Sequence, residues 1–325
     1  MCADESQIVR VILKKIPALF ISGIIAFLPC SCANVPSGMS VFPEDRLLAQ
    51  RVYKIASRAD SRFGISAFHI ESGRKLTWRE NDMFESGSAI KIAVLAEVLS
   101  RRQEGTVTLD ERLRLTHEMK AAGSGVLDAL SPGLQPTKLD LLRLMIIVSD
   151  NTAANYWIDQ CGTDAINKRM ELLGLREIRL TGRIPNIKPG EKDSKVWEGL
   201  KLGEATPHAL SEYFRLLAAG KLFGKEATAL AHEIFSQQHF KRISKRLLSG
   251  SGRTWEGKTG SLGHTVLDCG LLTTPKGRFV LAIIADQIPG REGGEDTAVN
   301  AIGDIAYEIV STWEETLPVL EPLCP

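Results

Sequence analysis

The side chains best suited to chemistry in this chain fall into three short motifs. They are, in chain order, Ser88-Ala89-Ile90-Lys91, Ser149-Asp150-Asn151 and Lys258-Thr259-Gly260. Each motif alone is weak evidence, because Ser72-Gly73-Arg74-Lys75 has the same spacing as the first and falls in a predicted hairpin turn. Together they supply a serine nucleophile, groups that move a proton and a cation for a substrate carboxylate. The combination predicts acyl transfer through a serine ester.

The first motif places a serine and a lysine at the start of an apolar helix. Ser88 and Lys91 are three residues apart, so their side chains share one face of a helix that runs to Leu99. The positive end of the helix favours negative charge on the serine oxygen. A lysine shielded from water loses its proton more readily and can then act as a base. We therefore predict Ser88 as the nucleophile and Lys91 as its base.

The second motif lies between two predicted helices, after Val148 and before Thr152. A polar triplet at such a place is typical of a helix break with capping. A functional interpretation has Ser149 relaying a proton to the leaving group and Asn151 hydrogen-bonding the substrate amide. We expect Asp150 to hold the loop rather than to take part in the chemistry.

The third motif lies on a predicted strand. Lys258 and Thr259 can hold a carboxylate, and Gly260 removes a side chain where a substrate backbone could lie alongside. Ser261 follows directly and completes the predicted substrate-binding set. The backbone N–H groups of Ser88 and Ser261 are the natural oxyanion hole.

Strands near both ends of the chain and helices between them must carry these motifs. An amphipathic helix is predicted from Glu44 to about Arg58, and Thr137 is a predicted helix N-cap. The stretch from Ser88 to Ser149 has helical periodicity with turn breaks at Pro132 and Pro136. The predicted strands are Phe63–Ile70, Lys75–Trp78, Trp255–Leu262, Thr265–Thr273 and Arg278–Ala285.

The last predicted strand is apolar on both faces from Phe279 to Ile284, which indicates a central position in its sheet. A final helix carries one apolar stripe from Ala298 to Trp313. Strands at both ends of the chain predict a sheet with a helical part inserted between them. The predicted fold class is therefore α/β, of the α+β kind.

The order, spacing and context of the three motifs resemble those of class A β-lactamases and their penicillin-binding relatives. The likeness runs from about Pro43 to Trp313 and includes the loop Gly123–Leu127 and the run Ser149–Asn155. It implies an antiparallel five-stranded sheet flanked by helices, with an inserted all-helical subdomain. The implied bounds are 43–316 for the catalytic domain, about 43–85 and 208–316 for its sheet subdomain, and about 86–207 for its helical subdomain.

One part of the family pattern is missing after the second motif. A class A β-lactamase is expected to carry Glu-x-x-Leu-Asn there, and the glutamate activates the water that releases the acyl group. This chain has Arg183-Ile184-Pro185-Asn186-Ile187 instead, with Pro185 in the place of the glutamate. Arg183 and Asp193 resemble the ion pair that closes this loop in the family. Glu191 is the nearest carboxylate, and we expect it in the solvated hinge.

Three functions stay open on this evidence, and each begins with an adduct at Ser88. The first is a β-lactamase-like serine hydrolase that releases β-lactams slowly, since a general base is worth about 100- to 10,000-fold in rate. The second is a D,D-carboxypeptidase or endopeptidase that acts on the D-alanyl-D-alanine ends of peptidoglycan. The third is a binding protein that senses penicillin or peptidoglycan without turnover. They differ in how fast the acyl group leaves.

Charge and composition narrow the possible partners. The chain has 40 Lys and Arg against 39 Asp and Glu, a net charge of +1, which argues against a nucleic-acid partner. The sequence contains no HExxH and no Cys-x-x-Cys motif, so we expect neither a metal nor another cofactor. We expect a monomer whose partner is a small β-lactam or a peptidoglycan stem peptide. His264, near the third motif, is expected to be a solvated turn residue.

Residues 1–33 are predicted to be a signal peptide. Basic residues precede an apolar run from Ile16 to Leu28, which is too short to span a bilayer. Cleavage after Ala33 fits the small residues there, and a lipid anchor on Cys32 is the alternative. We therefore expect an exported protein that is periplasmic or extracellular.

Three cysteines remain after such a cleavage: Cys161, Cys269 and Cys324. An odd count without metal-like spacing favours three unconnected cysteines. A disulfide between Cys161 and Cys269 is the alternative in an oxidising compartment.

Overall fold

An antiparallel sheet built from both ends of the chain carries the third motif. The computed structural model describes residues 35–185, 201–248, 252–290 and 293–319. Its strands are β1 (Met39–Val41), β2 (Arg62–His69), β3 (Lys75–Trp78), β4 (Phe84–Glu85), β5 (Arg179–Leu180), β6 (Gly203–Ala205), β7 (Thr254–Leu262), β8 (Thr265–Thr274) and β9 (Gly277–Asp286). Among these residues, six strands form one sheet in the order β1-β3-β2-β9-β8-β7, and β4-β6-β5 form a smaller sheet.

Helices cover both faces of the large sheet. They are α1 (Arg46–Arg58), α2 (Lys91–Gln103), α3 (Lys138–Ile147), α4 (Asn151–Cys161), α5 (Thr163–Leu172), α6 (Pro207–Ala218), α7 (Lys225–Ser236), α8 (Ser244–Leu247) and α9 (Gly294–Thr316). Short 3₁₀ turns at Pro43–Asp45, Gly87–Ile90 and Leu127–Ala129 accompany them. No helix in the described ranges is both long and apolar enough to cross a membrane.

The predicted fold class is confirmed, and the large sheet has one strand more than expected. The additional strand, β1, pairs with β3 so that Met39 lies opposite Trp78. It precedes the predicted domain start at Pro43. A three-residue edge strand shows too little alternation of apolar and polar residues to be recognised in the sequence.

Strand β9 has the central position that its apolar run predicts, since it pairs with β2 on one side and β8 on the other. Phe279, Leu281 and Ile283 point into a core shared with α1 and α9. Val280 and Ile284, on the opposite face, belong to the core formed by α2 to α7. The active-site motifs lie around the second of these cores.

The stretch between α2 and α3 differs from the predicted helical periodicity. After Gln103 the chain is largely irregular until Lys138, because glycines with positive φ, such as Gly123 at 102° and Gly125 at 114°, break any helix there. The predicted cap is confirmed: Asp140 N donates to Thr137 Oγ1 at 3.0 Å, and Thr137 N donates to Asp140 Oδ2 at 2.8 Å.

Several predictions fall on residues outside the described ranges. The signal peptide with Cys32 precedes the first described residue, and Glu191, Asp193 and Cys324 lie in the later gaps. The subdomain bounds remain predictions from the family resemblance.

Candidate active site

Ser88 lies in a tight turn that β7 approaches very closely. The turn Gly87–Ile90 leads directly into α2 at Lys91, so the serine is at the positive end of that helix. Gly87 has a φ of +46°, and a Cβ there would come within 2.9 Å of the backbone of Ser261. The serine is half-buried and lines a cavity of about 230 Å³.

Gly260 is required for this approach. A Cβ on Gly260 would lie 2.3 Å from the carbonyl oxygen of Ser86 and 3.1 Å from the backbone nitrogen of Ala89. The substrate contact predicted for Gly260 remains a prediction. The close approach brings the backbone around Ser88 next to that of Ser261, the two residues predicted to form the oxyanion hole.

Lys91 is fully buried below the cavity and contacts the second motif. Its Nζ donates to the carbonyl oxygen of Ser149, to Ser149 Oγ at 3.1 Å and to Asn151 Oδ1 at 2.8 Å. Burial lowers the pKa of Lys91 well below its usual range; the nearby charge of Lys258 lowers it further, and Asp150 opposes the change. The Ser88 hydroxyl makes no hydrogen bond to another described residue.

Ser149 is held in a conformation that serine rarely adopts. Its φ is +58°, in the left-handed region, which costs about 1–3 kcal/mol for a residue with a side chain. Its hydroxyl lies between two ammonium groups, 3.1 Å from Lys91 Nζ and 3.0 Å from Lys258 Nζ. A hydroxyl that touches two lysines in this way is placed to pass a proton between neighbours.

Asp150 has the structural role that was predicted for it. Its carboxylate accepts hydrogen bonds from the backbone nitrogens of Val126 at 2.7 Å, Leu127 at 2.8 Å and Ala153 at 2.9 Å. The last of these caps the start of α4. A Cβ on Gly125 would come within 2.3 Å of this carboxylate, so only glycine fits at position 125.

Asn151 completes the second motif at the edge of the cavity. Its Oδ1 accepts from Lys91, and its Nδ2 donates to the carbonyl oxygen of Ala122 at 3.0 Å. The side chain lines the cavity, although the residue as a whole is buried. The amide is thus fixed in orientation before any ligand binds.

Lys258 is also fully buried, and its Nζ donates to Thr259 O at 2.8 Å as well as to Ser149. Burial lowers the pKa of Lys258 to about 7. Thr259 and Ser261 alternate with Lys258 along β7 and line the cavity. The lysine therefore acts on the cavity through the Ser149 hydroxyl and through its charge.

Arg242 and a group of apolar side chains are site residues that the motifs did not indicate. Arg242 donates to Gly260 O at 2.6 Å, to Leu267 O at 3.2 Å and to the Ser261 hydroxyl. In the sequence it lies in a polar run without a distinguishing pattern. Only the fold shows that the run passes the end of β7.

The cavity wall contains no carboxylate among the described residues. Its lining residues are Ser88, Gly123, Ser124, Ser149, Asn151, Ile184, Leu202, Phe240, Arg242, Thr259, Ser261 and Leu262. The apolar members of this set are Ile184, Leu202, Phe240 and Leu262. A water molecule beside Ser88 would find no acidic side chain on this described wall.

The segment that precedes the predicted position of the glutamate is firmly held. Asn155, which is buried on α4, donates to Ile184 O and accepts from Ile184 N, both at 2.9 Å. This bidentate contact turns the side chain of Ile184 into the cavity wall just before Pro185. Arg183 contacts Asp159 at 3.3 Å. Its predicted partner, Asp193, is outside the described residues.

Cys161 and Cys269 are both free and buried. Cys269 lies beside the site, where its thiol donates to Lys258 O at 3.3 Å. Within the ranges that the structure describes, no cluster of three or more His, Cys, Asp or Glu could hold a metal ion. His264 is exposed in the turn between β7 and β8, as predicted.

Ser88 and Ser149 line the same cavity, and the Ser149 hydroxyl contacts the ammonium groups of Lys91 and Lys258. The chain belongs to the beta-lactamase enzyme family, whose family model matches residues 47–313. The resemblance stated from the three motifs is therefore confirmed.

Individual relatives agree with this assignment. A beta-lactamase of Rhodobacter capsulatus is 26% identical over 181 residues, which are 55% of this chain and 59% of that protein. The crystal structure of a beta-lactamase from Sphaerobacter thermophilus shares 29% identity at a TM-score of 0.72, over 82% of this chain and 98% of the other. A leucine-to-glutamate variant of PBP-A, solved as an acyl-enzyme complex with penicillin G, shares 26% identity at a TM-score of 0.69, over 83% and 97%.

Proposed function

We propose that this protein is a serine hydrolase of beta-lactamase type that is acylated by β-lactams at Ser88 and releases the acyl group slowly. The observation that carries the proposal is the asymmetry of the cavity. Ser149 is held between two buried lysines beside Ser88, whereas no described residue of the wall is a carboxylate. The first arrangement suits acylation, and the second leaves deacylation without a base among those residues.

Acylation follows from the contacts around Ser149. Ser88 Oγ attacks the carbonyl carbon of the lactam ring, and its proton passes to Lys91, whose lowered pKa favours the neutral amine. The carbonyl oxygen, now negative, lies against the backbone N–H groups of Ser88 and Ser261. The lactam C–N bond then breaks while Ser149 donates a proton to the nitrogen and regains one from Lys91. The product is an ester on Ser88 with an opened ring.

The substrate is oriented by its carboxylate. Thr259 presents its side chain to the cavity, and Lys258 and Arg242 supply positive charge at the same end of β7. β-Lactams and D-alanyl-D-alanine peptides both carry a carboxylate close to the reacting amide. The site is therefore suited to either substrate, and both would give a Ser88 ester.

Deacylation requires a base that activates water, and such a base is worth about 100- to 10,000-fold in rate. Ile184, fixed by Asn155, presents an apolar side chain to the cavity where a carboxylate would be needed. The likeness to PBP-A, whose leucine-to-glutamate variant was captured as a penicillin G acyl-enzyme, fits a long-lived adduct.

A D,D-peptidase is the second candidate, favoured by the same missing carboxylate. In that case the ester of a peptide would be released quickly and that of a penicillin slowly. A sensor without turnover would release neither. Each version places the protein outside the cytoplasm, as the predicted signal peptide requires.

Turnover of a chromogenic cephalosporin tests the proposal. We expect a burst of about one equivalent per enzyme followed by slow steady hydrolysis. The Ser88→Ala variant should give no burst. The Ser72→Ala variant, which alters the other serine with the same spacing to a lysine, is the matched control and should keep it. Rapid steady turnover without a burst would contradict slow release.

A further inference from the structure

Asp268 is a buried carboxylate at the back of the site that the proposed mechanism does not use. It lies on β8 directly opposite Thr259 and is fully buried. Its Oδ2 accepts a hydrogen bond from Ile243 N at 2.9 Å. Its Oδ1 makes no hydrogen bond within the described part of the chain, which is unusual for a buried carboxylate.

The hydrogen bond from Ile243 N to Asp268 holds the segment that carries Arg242. Ile243 follows Arg242 directly, and its side chain is buried in the core below α9. With the backbone fixed there, the Arg242 guanidinium reaches Gly260 O and the Ser261 hydroxyl at the cavity. Asp268 therefore positions Arg242 without touching the cavity itself.

The charges around Asp268 come from three other elements. Arg242 precedes α8 and Lys258 lies on β7, and both attract the carboxylate. Glu295, exposed on α9, is the other carboxylate that faces Arg242. Burial raises the pKa of Asp268 to about 6, against the opposing effects of the Ile243 N–H and of the two cations. The charge of Asp268 therefore changes near pH 6.

The ionised carboxylate has two opposite effects on an anionic ligand. Its hydrogen bond keeps Arg242 in place, which helps binding, but its negative charge cancels part of the attraction exerted by Arg242 and Lys258. Protonation removes the charge and leaves a carbonyl oxygen that can still accept from Ile243. The two effects are thus separable by a substitution that keeps the acceptor.

We propose that Asp268 is a positioning residue whose charge sets how strongly the site attracts the carboxylate of its substrate, with recognition stronger when Asp268 is neutral. The inference rests on the proposed function, because it concerns the substrate carboxylate in acylation of Ser88. It predicts that acylation by a carboxylate-bearing β-lactam rises as the pH falls through the titration of Asp268. A β-lactam without that carboxylate should not respond in this way.

The test is the rate of Ser88 acylation by a penicillin and by its methyl ester, measured at pH 5 and pH 7.5 by rapid-quench mass spectrometry. At pH 7.5, Asp268→Asn should acylate with the penicillin on the order of tenfold faster than the wild type, as expected for one partly screened charge. The gain should appear in the half-saturating concentration rather than in the limiting rate. At pH 5 the ratio of the Asp268→Asn rate to the wild-type rate should return to about one.

The charge of Asp268 raises the pKa of Lys258, so Asp268→Asn also lowers the cationic fraction of Lys258 near pH 7, which reduces the expected gain there. At pH 5 Lys258 is cationic in both proteins. The methyl ester should show no difference between Asp268→Asn and wild type at either pH. Glu295→Gln is the matched control: it removes the exposed carboxylate and should change the rate by less than about twofold, because solvent screens its charge. Asp268→Ala also loses the contact to Ile243, so at pH 5 it should acylate more slowly than wild type.

The inference would be overturned if the ratio of the Asp268→Asn acylation rate to the wild-type rate were the same at both pH values. It would also be overturned if this ratio were the same for the penicillin and its ester. If Asp268→Ala does not fold, Asp268→Asn alone decides the question. An absence of any adduct in the wild type would instead refute the proposed function. A normal wild-type adduct with an unchanged Asp268→Asn profile would refute only the role of Asp268.

Discussion

The two walls of the cavity around Ser88 are built very differently. On one wall, glycine contacts hold β7 against the Ser88 turn, and two buried lysines hold the strained Ser149 by hydrogen bonds. On the other wall, Ile184, Leu202 and Phe240 present apolar side chains. The polar wall suits the proposed acylation, and the described apolar residues offer no base for the activation of water. Under the proposed function, the fold would support the first half of a two-step reaction better than the second.

A carboxylate introduced next to Ile184, at the place of the family glutamate, should have the largest effect on this contrast. We expect Pro185→Glu to shorten the lifetime of the penicillin adduct by about tenfold to a hundredfold, which is part of the full value of a general base. The lifetime is measured by mass spectrometry after excess penicillin is removed.

Pro185→Gln is the matched control, because it has the same length and also loses the proline ring. It should leave the lifetime unchanged. An equal shortening in both variants would mean that the loop conformation, and not a base, limits release.

Disturbing the contact between β7 and the Ser88 turn should lower both stability and the rate of acylation. In Gly260→Ala the new methyl group would meet Ser86 O at 2.3 Å, a backbone atom that cannot move away cheaply. We expect a loss of about 1–3 kcal/mol in the free energy of unfolding, measured by urea denaturation, with acylation slowed at least tenfold. Gly290→Ala, where a Cβ would have open space, should change neither quantity.

The pH dependence of acylation should report the charge of Lys258 together with that of Asp268, since both change between pH 6 and 8. Because burial lowers the pKa of this lysine to about 7, it is cationic below that pH and loses its charge above it. Acylation by a penicillin should therefore fall about tenfold as the pH rises from 6 to 8, the value of one screened charge at close range. The methyl ester of the same penicillin should not show this fall, and an identical fall for both would contradict the assignment.

The smallest effect is expected at the ion pair that begins the loop. Arg183 and Asp159 are each about half exposed, with 49% of both side chains accessible, so the pair is well screened. Arg183→Ala should lower the free energy of unfolding by less than about 0.5 kcal/mol. A loss above about 1.5 kcal/mol would show that Arg183 holds the loop as the family ion pair does.

The sequence predicted the fold correctly where the pattern of neighbouring residues determines the local structure. The run in β9 that is apolar on both faces predicted its central position, and Thr137 with Asp140 predicted the cap of α3. The pairing of β2 with β3 agrees with the hairpin turn predicted between them. The irregular stretch after α2 was missed because the helical periodicity of its apolar residues is overridden by glycines that need positive φ.

The site shows the same division between local and tertiary information. Ser88, Lys91, Ser149 and Lys258 could be named because their spacing carries chemistry. Gly260 could be named from the motif, but only the fold shows that Ser86 packs against it. Arg242 and Asp268 were missed because their roles depend on contacts between segments distant in sequence, such as Ile243 with β8.

The lifetime of the Ser88 adduct tests the central claim most directly. The full chain is given a pulse of penicillin G, the excess is destroyed, and the intact mass is followed over time, with Ser88→Ala in parallel. We expect a mass increase of one penicillin that persists for many minutes in the wild type and never appears in Ser88→Ala. An adduct that disappears within seconds while penicillin is consumed, or the absence of an adduct altogether, would contradict it.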